Sequence, residues 1–265
     1  MPIRAILFDL DDTLVVDEAV SHETFAHVAA VAADRFGADP ARFATDAMSV
    51  ARELWGEGEC RPFCRSIGIS AFECLWGGFA GESPELTALR LWSGDYRISV
   101  FARALALQGR EIPSDAASHL AAEFSSTRRS RQRLMPGARE LLSDLSATHA
   151  VALLTNGAPD LQREKIAASG LESFFRAIAV SGEHGIGKPR PEIFHRLLGE
   201  LGVEPSEAVM VGNSLERDIA GARNAGIRSV WIRVPGSEEQ AEVVPDHVIT
   251  SLSEIPLILE GLRGK

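Results

Sequence analysis

The chain has little cysteine, scattered histidine, a deficit of positive charge and no long apolar run, and each shortage closes off a class of function. Three cysteines in 265 residues, Cys60, Cys64 and Cys74, are odd in number, confined to one region and without zinc-ligand spacing, so they read as reduced packing thiols. The seven histidines form no His-x-x-x-His or Cys-His pair, which argues against a transition-metal site and leaves a hard cation held by oxygen open. With 27 lysines and arginines against 37 aspartates and glutamates, the net charge is −10, the wrong sign for a nucleic-acid partner. No basic amphipathic stretch suggests a membrane surface, and the apolar run before Asp9 is far too short for a signal segment or a spanning helix. The expectation is a cytoplasmic protein, monomer or homodimer, that handles a small molecule.

What is present begins with Ile6-Leu7-Phe8-Asp9-Leu10-Asp11-Asp12-Thr13-Leu14. The apolar half has the composition of a buried parallel strand, and such strands deliver polar side chains at their carboxyl ends, where open α/β sheets bind ligands. Asp9 and Asp11 then share a crevice. Carboxylates that close need a cation, or a division into a nucleophile and an acid/base. The same letters also suit a loop of solvated acids, or a helix start capped by Asp12 and Thr13.

The length suits two unequal domains. From residue 17 to 133 the pattern is helical, about five helices, with stops at Gly37, Gly58, the Gly77-Gly78 pair and Gly109. Phe25, Val28, Ala29, Ala32 and Phe36 form one apolar stripe, and Asp39-Pro40 opens a second helix carrying Phe43, Ala47, Val50 and Leu54. Trp55, Phe63, Trp76, Phe79, Trp92, Tyr96 and Phe101 are expected mainly as packing, and the run Arg128 to Arg133 as a solvated helix face. After Met135 short β-rich runs at 150–154, 177–180, 208–211, 229–232 and 247–250 alternate with helices, which implies a parallel sheet. The strand at residues 4–8 joins that sheet. The predicted class is therefore α/β: a Rossmann-like parallel sheet of about five to six strands with helices on both faces. Residues 1–16 and 134–265 form the core, and an all-helical insert, residues 17–133, sits as a lid.

Three further segments end core strands or start core helices. Val151 to Leu154 runs into Thr155-Asn156-Gly157, a hydroxyl with backbone N–H groups able to hold phosphate, though also an ordinary turn. Gly185-Ile186-Gly187-Lys188-Pro189-Arg190-Pro191 delivers one lysine just before a proline-started helix, either a point charge for a phosphoryl group or a surface lysine. Val209-Met210-Val211-Gly212-Asn213-Ser214-Leu215-Glu216-Arg217-Asp218 offers Asn213 and Asp218 as oxygen ligands or supporting acceptors, with Ser214 also placed to cap a helix.

Together the four segments resemble the haloacid dehalogenase superfamily, whose signature is Asp-x-Asp-x-Thr, a strand ending in Thr or Ser, a Lys, and a strand followed by Gly-Asp-x-x-x-x-Asp. The likeness covers residues 3–15 and 134–255, and the helical insert matches the family's C1 cap in position and type. The resemblance implies a phosphomonoester hydrolase in which Asp9 is the nucleophile, forming an aspartyl-phosphate, and Asp11 is the acid/base. It implies that Thr155, Lys188 and the backbone N–H groups near Leu10, Asp11 and Asn156 bind the phosphoryl oxygens, with Thr13 buttressing the loop. Mg²⁺ would bind Asp9, the Asp11 carbonyl and Asn213, with Asp218 behind them. Asn213 departs from the family, which usually has Asp there. Two unit charges ~4 Å apart interact by ~4 kcal/mol at an effective dielectric near 20, so losing a charge beside the cation is expected to weaken metal binding. Phosphomutase, haloacid dehalogenase and non-catalytic phosphate-binding protein are the alternatives; Asp11 argues against the dehalogenases, which lack the second acid.

Overall fold

The structure, a computed structural model, describes residues 2–109, 113, 115–234 and 243–263. It divides into two compact units. One holds Asp17–Gln132 and Ala158–Leu161; the other holds Met1–Val16, Arg133–Gly157 and Gln162–Lys265.

The first unit is built from α1 (Glu18–Phe36), α2 (Pro40–Glu57), α3 (Arg61–Ile67), α4 (Pro84–Ala106) and α5 (Ala116–Ser130). Local chemistry sets the starts: the Asp39 carboxylate accepts from Arg42 N at 2.9 Å, and the Ser83 hydroxyl accepts from Leu86 N at 3.2 Å. Each cap is followed by a proline whose missing N–H costs nothing in the first turn. Phe25, Val28, Ala29 and Ala32 of α1 meet Phe43 and Ala47 of α2, Phe101 of α4 and Phe124 of α5 in one core. Trp76, Phe79, Tyr96 and Phe101 are buried, and the three cysteines are buried free thiols. The Tyr96 hydroxyl lies 2.8 Å from the Ala71 carbonyl and 3.0 Å from that of Ala51, satisfying its polar end inside the core. One expectation fails here. Arg128, placed on a solvated face by its neighbours, is 2% exposed, pairs with Asp17 and lies 4.7 Å over the Trp76 ring. A counterion and an aromatic surface offset the cost of burying that guanidinium, which charge patterning alone does not reveal.

The second unit carries β1 (Ala5–Phe8), β2 (Ala150–Thr155), β3 (Ala177–Val180), β4 (Ala208–Gly212), β5 (Arg228–Ile232) and β6 (His247–Ile249). They form one sheet in the order β3-β2-β1-β4-β5-β6, every pair parallel. Its helices are α6 (Ala138–Ser146), α7 (Pro159–Ser169, from Gln162 onward in this unit), α8 (Ser181–His184), α9 (Pro191–Leu201), α10 (Ala220–Asn224) and α11 (Ile255–Arg263). A parallel sheet needs cover on both faces, and the strands alternate accordingly. Ile6 and Phe8 pack with Leu142 of α6 and Ile255 of α11, while Ala5 and Leu7 pack with Phe194 and Leu197 of α9. All four β1 side chains are fully buried. Burying Phe8 alone contributes about 3 kcal/mol. No helix among the described residues is long and apolar enough to cross a membrane.

Because β1 lies between β2 and β4, the chain fills one side of β1 with β2 and β3 and the other with β4, β5 and β6. The order reverses beside β1, and the crevice at the carboxyl ends there is where open α/β sheets bind ligands.

Candidate active site

Asp9 is the first residue past β1, its N–H donating to Val211 O at 2.9 Å so that the neighbouring strand fixes its backbone. The chain then turns sharply: the Leu10 carbonyl accepts from Leu14 N at 2.8 Å and Val15 N at 3.0 Å, and Asp12 takes φ 55°, a left-handed conformation Asp tolerates better than most residues. The turn brings the buried Thr13 hydroxyl back to donate to Asp9 Oδ2 at 3.4 Å. The other oxygen, Oδ1, lies 2.5 Å from Lys188 Nζ.

Lys188 is 5% exposed and its Nζ is also 2.7 Å from Asp218 Oδ1, an ion-pair distance without hydrogen-bond geometry. Burial by itself would push this ammonium down, but the Asp218 and Asp9 carboxylates outweigh it and its pKa is raised. Asp218 is pushed up by burial, opposed by Lys188 and reinforced by Asp9. The Ser214 N–H donates to Asp218 Oδ2 at 2.9 Å, and the Ser214 hydroxyl accepts from Arg217 N, so Ser214 also caps the short helical turn Leu215–Ile219. Asp218 sits so close to the end of β4 that a Cβ on Gly212 would lie 2.3 Å from its carboxyl carbon, which only glycine avoids.

Asn156 follows β2 and uses its side chain structurally: Nδ2 donates to Lys188 O and Oδ1 accepts from Lys188 N, each at 2.9 Å. Thr155, fully buried, has Oγ1 2.9 Å from Gln162 Nε2. Asp11 points its carboxylate at α7, where Lys165 Nζ is 3.0 Å from both oxygens and Gln162 Nε2 is 2.9 Å from Oδ2. Asn213 is half-buried and is held through its main-chain carbonyl by the Trp231 indole at 2.9 Å.

The structure thus joins Asp9, Lys188 and Asp218 directly, ties Asn156 to Lys188, and links Asp11 to Thr155 through a residue outside the expected set. Leu10 is the hinge of the turn. Gln162 and Lys165 are what sequence reasoning missed; their signal is a spacing of three on α7, which puts both beside the apolar Ile166.

A family described as haloacid dehalogenase-like hydrolase matches residues 3–226. The chain belongs to the haloacid dehalogenase-like hydrolases. It is 39% identical over 254 residues to a phosphoserine phosphatase of Thermus thermophilus, covering 96% of this chain and 98% of that one. It is 30% identical over 271 residues to the N-acylneuraminate-9-phosphatase of Homo sapiens, covering 99% and 96%. Among solved structures, the HAD-hydrolase YfnB from Bacillus subtilis bound to magnesium superposes with a TM-score of 0.67 at 22% identity, covering 98% of this chain and 99% of that one, a likeness of fold. With full-length relatives named as phosphatases, this member of the haloacid dehalogenase-like hydrolases is a phosphatase.

The residues at the strand ends also suit a hard cation. The Asp9 and Asp218 carboxylates, the Asp11 carbonyl and the Asn213 amide are all oxygen donors, the ligand type a hard cation takes. No group of three or more His, Cys, Asp or Glu placed to hold a metal ion occurs among the described residues.

Proposed function

We propose that the protein is a Mg²⁺-dependent phosphomonoester hydrolase that works through an aspartyl-phosphate on Asp9 and acts on a small phosphorylated metabolite in the cytoplasm. The observation that carries this reading is the Asp9 carboxylate at the end of β1, held at one oxygen by Lys188 and at the other by Thr13. An Asp9 oxygen attacks phosphorus, the ester P–O bond breaks, and Asp11 gives a proton to the departing alkoxide. Water then attacks the phosphorus of the aspartyl-phosphate while Asp11 takes its proton, returning Asp9 and releasing inorganic phosphate. Splitting the displacement in two lets one carboxylate act as acid and then as base.

Lys188, Thr155 and the N–H groups of Leu10, Asp11 and Asn156 hold the phosphoryl oxygens. Lys188 faces two carboxylates and so brings its positive charge to the reacting centre already oriented, where a developing negative charge is stabilised without reorganisation. Thr155 Oγ1 accepts from Gln162, which leaves its own hydrogen to donate. Asp9, the Asp11 carbonyl and Asn213, with Asp218 supporting, would hold Mg²⁺, which would supply positive charge to the phosphoryl oxygens.

The test is phosphate release across a metabolite panel that includes phosphoserine, N-acylneuraminate 9-phosphate, glyceraldehyde 3-phosphate, nucleotides and phosphoglycolate, with Mg²⁺ and with EDTA. Mg²⁺-dependent release from at least one ester is expected. Transfer of phosphate within a hexose phosphate, without free phosphate, would instead make the protein a phosphomutase.

A further inference from the structure

Asp11 is the only acid/base group that the proposed reaction uses, and an Asp side chain has two rotatable bonds with which to miss its target. In this fold the freedom is removed by α7. Gln162 and Lys165 lie three residues apart on the helix face that also buries Ile166, and they are 0% and 1% exposed. A lysine buried that deeply needs a charge partner, and both oxygens of Asp11 are 3.0 Å from its Nζ. Gln162 adds a third contact to Asp11 Oδ2 at 2.9 Å. The same Nε2 reaches Thr155 Oγ1 at 2.9 Å and Asn156 O at 2.5 Å, so one amide spans the acid/base and the end of β2. The fit is tight on the strand side as well: a Cβ on Gly157, which has φ 148°, would meet Gln162 at 2.7 Å.

We propose that Lys165 and Gln162 are positioning residues that fix the Asp11 side chain in one orientation, in which the carboxylate takes a proton from solvent as the negatively charged ester binds and delivers that proton to the leaving oxygen, and that Gln162 sets this orientation relative to the phosphate-binding Thr155. The inference rests on the phosphatase reading. Lys165 grips both oxygens, so rotation about either side-chain bond breaks at least one contact, and Gln162 makes that rotation also disturb Thr155. Misplacing a catalytic group by about 1 Å costs on the order of 100-fold in rate.

A structural role and a positioning role separate in the leaving-group dependence of the full-length enzyme. Wild type, Asp11→Asn, Lys165→Met and Gln162→Leu are compared on 2,4-dinitrophenyl phosphate, 4-nitrophenyl phosphate and glycerol 2-phosphate with Mg²⁺. The first leaving group departs without a proton and the last requires one. For Lys165→Met and Gln162→Leu, kcat/KM for glycerol 2-phosphate falls about 100-fold, following Asp11→Asn, while kcat/KM for the dinitrophenyl ester falls far less, within about fivefold for Lys165→Met and within about tenfold for Gln162→Leu, which also frees Thr155. Gln162→Leu removes no charge and carries the same test if Lys165→Met does not fold. Equal losses on all three esters in folded variants, or no loss on any, overturn the positioning role. Failure of the wild type to release phosphate from any ester overturns the phosphatase reading itself, an outcome distinct from the others.

Discussion

Asn156 and Lys188, 32 residues apart in sequence, exchange two hydrogen bonds of 2.9 Å, one in each direction. The end of β2 thereby fixes the backbone of the loop that delivers the Lys188 ammonium. Asn156→Ala leaves a buried N–H and a buried C=O unpaired, which costs about 1–3 kcal/mol for each group. Urea denaturation of this variant should show a lower midpoint with an unchanged slope, and KM for a phosphate ester should rise as Lys188 loses its fixed place. An unchanged midpoint would mean that water replaces both bonds.

Gly212 and Asp218 approach so closely that no side chain fits between them. Gly212→Ala should displace the Asp218 carboxylate and, through it, Lys188, lowering kcat by on the order of 100-fold while the fold survives. Steady-state kinetics with a circular-dichroism control decide this. Wild-type kcat in the alanine variant would show that Asp218 is not needed where it stands.

Tyr96 is the chain's only tyrosine, so its ionisation can be read alone. Burial, reinforced by Cys74 and Cys64, holds its hydroxyl far above the ordinary value of about 10. The folded state therefore keeps a proton that the unfolded state loses. Stability should fall as pH rises above about 10, by ~1.4 kcal/mol per pH unit from this group. Absorbance at 295 nm should stay flat through pH 10 and then rise together with the loss of helical circular dichroism. Phenolate absorbance appearing near pH 10 in a folded protein would mean that the side chain is open to water.

In the proposed metal site Asn213 supplies a neutral oxygen where a carboxylate would bind Mg²⁺ more strongly, so Asn213→Asp should lower the Mg²⁺ concentration for half-maximal activity. The Coulomb term between one added charge and a dication ~4 Å away is ~8 kcal/mol at a dielectric near 20, most of which desolvation and the existing Lys188 charge remove, so about tenfold is expected. Titration of activity with Mg²⁺ after chelation checks it, and an unchanged half-point would place Asn213 away from the metal.

The chain's pattern announces the fold and the family more fully than the site. Ile6, Leu7 and Phe8 followed by Asp9 mark a buried strand ending in an acid, and the order of Thr155, Lys188 and Asp218 places the remaining strand ends, because period-two burial and strand-end polarity are local signals. The partners of Asp11 were not legible. Gln162 and Lys165 sit in a helix where a polar side chain beside Ile166 reads as surface, and only the packing of α7 on the sheet shows both to be buried. The use of the Asn156 side chain was equally hidden, since it is spent on Lys188, a contact across 32 residues that no local window contains. Arg128 misled for the same reason, since Asp17 and Trp76 come to it through folding.

The most direct test of the account is the rate of Asp9→Asn. The amide cannot attack phosphorus as a carboxylate does, while the strand end, Thr13 and Lys188 remain in place. With the ester that the wild type hydrolyses best, at saturating Mg²⁺ and in a preparation free of other phosphatases, kcat should fall at least about 1,000-fold while the circular dichroism of the folded protein is retained. Phosphate release by Asp9→Asn at a rate near that of the wild type would contradict the assignment of Asp9 as nucleophile.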